Sequence, residues 1–178
     1  MVAKSIVKLI DEAIIPALAL IFGKMLGLAL VITLLDLPFT IETGQVLKIL
    51  PSVRFENLTD YILAENYSNL AMFIAAAVGT IFVIIRAHFF HESHINPSLH
   101  ARLVSLNLES LVAPSYHLYH QAAIWLLFLW LTVAFLIVSM LTDITYPPFS
   151  AITFIIAANF SWIFAMDIEK EIEISKQG

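Results

Sequence analysis

Residues 118 to 141 read LYHQAAIWLLFLWLTVAFLIVSML, a stretch without a single Asp, Glu, Lys or Arg. A helix needs about 20 largely apolar residues to cross a hydrocarbon core, so this stretch is long enough to do it. Three more runs of the same kind lie to either side, at about 17–37, 69–90 and 149–166. Together the four make up much of the 178 residues, and the composition, 60% hydrophobic against 13% charged, excludes an ordinary soluble domain. In lipid every backbone N–H and C=O must find a partner inside its own segment or in a closed barrel, and none of the four runs alternates as a barrel strand does. The expected fold is all-α: one membrane domain over 1–178, with four transmembrane helices in a compact bundle. An outer loop (38–68), a cytoplasmic segment (91–117) and a cytoplasmic tail (167–178) complete it.

Lys4 and Lys8 precede the first run as in a secretory leader, but Asp11 and Glu12 spoil the basic region and the run is too long, so the first helix is expected to stay. Four spans place the N-terminus, the 91–117 segment and the tail on one side. That side holds Lys4, Lys8, Arg86, Arg102, Lys170 and Lys176, and the other holds Lys48 and Arg54. The excess predicts a multi-pass protein of the cell membrane, in a bacterium its inner membrane, with both termini cytoplasmic. The opposite side is acidic, with Asp36, Glu42, Glu56, Asp60, Glu65 and Asp143. Such a surface either concentrates cations or serves solubility.

Between the spans, local signals predict smaller features. Lys4, Lys8, Asp11 and Glu12 interleave with Ile6, Val7, Ile10 and Ile14, the pattern of a short surface helix that Pro16 would end at a turn into the membrane. Asn57-Leu58-Thr59 and Asn66-Tyr67-Ser68 resemble glycan acceptors, and they are read as loop residues, with Thr59 as a helix cap. Asn96-Pro97-Ser98 reads as an N-cap and first turn, opening a short amphipathic cytoplasmic helix from about Pro97 to Val112. Past Met166, Ile168 and Ile172 share a face in an acid-rich run, so the fourth helix is expected to continue into the tail.

Two groups of residues bear on chemistry. All six histidines fall between 88 and 120, and His88, His91 and His94, like His117 and His120, stand three apart on a helical face. With Glu92 these five could bind a transition metal, and two opposed imidazoles could hold a haem. The alternative is an interfacial or pH-responsive patch beside Tyr116, Tyr119 and Trp125. The spacing of His91 and His94 departs from the zincin pattern, and the adjacent His pairs of membrane di-iron desaturases are lacking, so no family is claimed.

The second group is Gly23-Lys24-Met25-Leu26-Gly27 in the first span, where small residues permit close helix approach and a lysine is costly in lipid. Lys24 is expected to reach back to the cytoplasmic surface, or else to line a polar path or pair with Asn159 of the fourth span. Gly23, Lys24, Gly27 and Asn159 are therefore the candidate pore or packing residues. The leading expectation is a non-enzymatic subunit that self-assembles without a cofactor, as a cation-permeable pore or membrane effector. Lipid, further copies and a cytosolic protein are its expected partners, and the thinly scattered basic residues argue against nucleic acid. The alternative is a redox, metal or haem protein built on the histidines.

Overall fold

The structure, a computed structural model, describes residues 2–43, 51–91 and 95–177. Its helices are α1 (Val2–Leu34), α2 (Leu58–Phe89), α3 (Pro97–Ser105), α4 (Ser115–Leu141) and α5 (Pro147–Gln177), with a 3₁₀ turn at Glu109–Leu111. Two short antiparallel strands, β1 (Phe39–Thr43) and β2 (Pro51–Phe55), pair Ile41 with Val53. Among the described residues, four segments are long and apolar enough to cross a membrane: Ile10–Leu34, Leu58–Phe89, Ser115–Leu141 and Pro147–Glu173. The protein is all-helical apart from the hairpin.

Sequential helices pack on one another: α1 on α2, α2 on α4 and α4 on α5, with lighter α1–α4 and α2–α5 contacts. The core lies among the last three, where Phe73 and Ala76 of α2 meet Leu126, Leu129, Val133 and Leu136 of α4 and Ala157 of α5. Helix α1 adds Leu20 at the core's edge and is the most exposed of the four.

Several local expectations need correction. Pro16 does not end a surface helix, because α1 runs through it from Val2 to Leu34. A proline costs the helix one hydrogen bond, here to the Glu12 carbonyl, and a long apolar helix tolerates that loss when neighbours pack around it; Pro16 is buried. The segment 38–68, read as a loop, contains the hairpin and the first three turns of α2. Thr59 lies inside α2, whose N-cap is Asn57.

Asn96 does cap α3, accepting from the Ser98 N–H at 3.0 Å, but the helix stops at Ser105 and not at Val112. Asn107 there takes a left-handed backbone (φ 57°), and Leu108 N–H reaches back to Leu103 O at 2.9 Å. Asp36 after α1 and Asp143 after α4 do the same, with Leu37 bonding to Ile32 O and Ile144 to Ser139 O. All three ends thus close in a Schellman geometry that Asn and Asp tolerate better than other non-glycine residues.

Candidate functional site

Gly23 and Gly27 face α2. A side chain at Gly23 would meet Ala75 Cβ at 2.7 Å and the Ala71 carbonyl at 3.2 Å, and one at Gly27 would run into Ala71 and Ser68. The two glycines therefore let α1 and α2 approach closely within one chain. This antiparallel contact carries Lys24 to the α2 turn that bears Glu65 and Asn69.

Lys24 Nζ donates to Glu65 Oε2 at 2.9 Å and to Asn69 Oδ1 at 2.9 Å, and lies 5.1 Å from the centre of the Phe135 ring. The side chains of Lys24 and Glu65 are 32% and 22% exposed, and Asn69 is fully buried. From Ile10, Lys24 is about 21 Å along α1 at 1.5 Å per residue, so the amine is not near the N-terminal surface. Its ammonium leans toward the Leu34 end, away from the side on which both termini were expected. Asn159 is not its partner: that amide is exposed on α5 and donates to Ile155 O of its own helix at 2.7 Å. Asn69 Nδ2 is buried with no hydrogen-bond partner among the described residues, which is uncommon for a group whose desolvation costs roughly 1–3 kcal/mol.

Near the other end of α1, Glu12 forms a second charged cluster. Its two oxygens lie 3.2 Å from His117 Nδ1 and 3.2 Å from His120 Nε2, and its side chain is 9% exposed. His117 and His120 converge on one carboxylate because they stand three apart on α4. Gln121 Nε2 lies 3.3 Å from His117 Nε2, and Gln121 Oε1 accepts from Arg86 Nη1 at 3.3 Å. Arg86 also donates to the Leu111 carbonyl at 2.7 Å and to the Ser110 carbonyl at 3.0 Å. It anchors the α3–α4 connection from inside. Asp11, Glu12, Arg86, His117, Gln121 and Trp125 line a cavity of about 520 Å³ together with Ile15, Phe82 and Val83.

The remaining histidines go elsewhere. His88 Nδ1 sits 2.5 Å from Asp167 Oδ1, whose other oxygen accepts from Tyr119 OH at 3.0 Å, tying α2, α4 and α5 together. His91 is buried and forms a single bridge to Ala113, while His94 and Glu92 lie outside the described residues. Among the described residues no three His, Asp or Glu side chains come together to hold a metal. Sequence reasoning missed Glu12, Glu65, Asn66, Asn69 and Asp167 as partners. Asn66, in the acceptor-like triplet, is fully buried: its amide donates to Ile62 O and Ile144 O and accepts from Tyr146 N–H at 2.7 Å, clamping the α4–α5 turn. No protein family, curated protein or solved structure matches this chain.

Proposed function

We propose that this chain is a non-enzymatic membrane subunit that passes a small cation, the proton included, across the bilayer. Copies assemble in the membrane with both termini cytoplasmic. One observation carries the reading: an ammonium–carboxylate pair, Lys24 with Glu65, held between two apolar helices inside the candidate spans and only partly exposed. Ionisable groups within membrane spans are costly and mark ion or proton pathways. The buried Asn69 Nδ2, without a partner among the described residues, adds a donor that an entering water or oxygen ligand would satisfy.

The cation competes with Lys24 for Glu65. The Glu12 cavity is the way in from the side of the termini, since its lining has two carboxylates against one guanidinium. Asp36, Glu56 and Asp143 are exposed at the opposite end and draw cations there. The α2–α4–α5 interior is filled by Leu129, Val133 and Leu136, all fully buried, so a path follows α1. A cytosolic partner has Val104, Leu106 and Leu108 to dock on, all exposed in and just after α3.

The test is flux. Full-length protein in liposomes loaded with a pH-sensitive dye, or held under a potassium potential, is expected to conduct, and Lys24→Met and Glu65→Gln each to change the rate at least about tenfold, as for loss of a group on the path. Wild-type liposomes as tight as empty ones would overturn the proposal. Unaltered flux in both variants would remove the pair from the mechanism.

A further inference from the structure

Helix α5 buries Ser150, Thr153 and Ala157 against the rest of the chain, and turns Asn159 the other way. Around Asn159 the outward face carries Ile152, Ile155, Trp162, Ile163 and Met166, each more than half exposed. Residues 152, 155, 159, 162 and 166 repeat at intervals of three and four, the spacing of a helix–helix seam. Asn159 is the polar residue in that seam, near the middle of the Pro147–Glu173 span. One amide N–H bonds to Ile155 O; among the described residues the other N–H and the oxygen have no hydrogen-bond partner.

We propose that a second copy of this chain packs on this face of α5, with the two Asn159 amides hydrogen-bonded to each other. Three observations select a second copy over lipid or a different protein. A carboxamide contains donor and acceptor in one group, so it is its own complement when two helices meet about a two-fold axis. Copies inserted the same way hold Asn159 at the same depth, so the two amides coincide where the helices run parallel. The exposed parts of the five apolar side chains also come to on the order of 600 Å² per copy, so that full cover of this face on two copies, about 1,200 Å², reaches the size of a specific interface. Facing lipid, the free amide groups have no partner; facing a copy, both are satisfied. Gly23 and Gly27 are already taken by α2, so this glycine pair does not supply the seam for assembly. The inference deepens the assembly named above and is independent of whether cations pass.

Cysteine cross-linking tests it cleanly because the chain has no cysteine of its own. Single substitutions from Ala151→Cys to Met166→Cys, in the full chain in native membrane vesicles, are oxidised with copper phenanthroline and read as disulfide dimers. Maxima are expected at 152, 155, 159, 162 and 166, with Thr153→Cys and Ala157→Cys at background. In dilute liposomes, Asn159→Leu is expected to raise the dimer dissociation constant roughly three- to tenfold, the range of one interhelical side-chain hydrogen bond in a membrane. Cross-linking with no period, a maximum on another face, or an unaltered dissociation constant in Asn159→Leu would each overturn the seam. None of these readouts depends on flux, so a protein that dimerises through α5 and conducts nothing would sink only the transport proposal.

Discussion

Helix α1 carries two charged sites about 18 Å apart by helical rise, and they are built in different ways. At Lys24 an ammonium meets a carboxylate, Glu65, and the amide of Asn69 accepts a second bond from the ammonium. At Glu12 a carboxylate lies between two imidazoles, which carry charge only when protonated. The first site is neutral in sum, and each member needs the other. The second sets one carboxylate against two rings and opens on a cavity. A closed pair of the first kind suits a gate, and a cavity of the second kind suits an entrance.

The sharpest way to break this comparison is to remove one member of the pair. Glu65→Leu leaves Lys24 charged between apolar helices, and we expect a stability loss of about 2–4 kcal/mol, set below the fully buried case because the lysine keeps 32% of its exposure. Adding Lys24→Met should return the double variant to within about 1 kcal/mol of wild type, since an apolar pair of similar size avoids the desolvation of two charges. Thermal unfolding in mild detergent, in a double-mutant cycle, reads both numbers. If Glu65→Leu alone proves harmless, Lys24 has another route to water and the site is not a closed pair.

An intermediate effect is expected from the wall of the Glu12 cavity. Trp125 lies directly over Gly79, so that any side chain there would collide with the indole. Gly79→Ala must push Trp125 toward the cavity that it helps to line. Overpacking of this kind costs about 1–3 kcal/mol, and the indole's altered surroundings should move tryptophan fluorescence. The Lys24 site should keep its coupling energy, because Gly79 touches none of its members. A loss of that coupling would show that the two sites communicate through α2.

The four apolar runs were legible because hydrocarbon leaves the backbone only one open-ended choice, and apolar length alone marks it. The start of α2 was not, because Glu65 and Asn66 look like loop residues until their partners are known. Glu65 and the oxygen of Asn69 are met by Lys24, 41 and 45 positions away, and Asn66 by the α4–α5 turn, 78 and 80 positions away. Lys24 was singled out as costly, but a lysine's cost in lipid says only that it needs a partner and not which one. The histidine count drew attention to α4 while concealing that Glu12, on the far side of Pro16, is what His117 and His120 touch. Conversely, the glycine pair at 23 and 27 signalled close approach without saying whether the neighbour was another helix of the same chain.

The smallest expected effect is at Glu12, and it distinguishes the two sites most directly. A glutamine there keeps the shape of the side chain, with an oxygen for one imidazole and an amide N–H for the ring nitrogen of the other. Neutral imidazoles can meet it on those terms, since each offers one donor and one acceptor. Glu12→Gln therefore trades charge-assisted contacts for ordinary ones, with a change of at most about 1 kcal/mol. Glu65→Gln has no such exchange to make: it leaves a full positive charge on Lys24 facing two amides, at a cost nearer that of Glu65→Leu. Measured side by side at neutral pH, the two glutamine variants should differ severalfold in destabilisation. Equal and large losses would mean that Glu12 depends on its charge as Glu65 does, removing the contrast between gate and entrance.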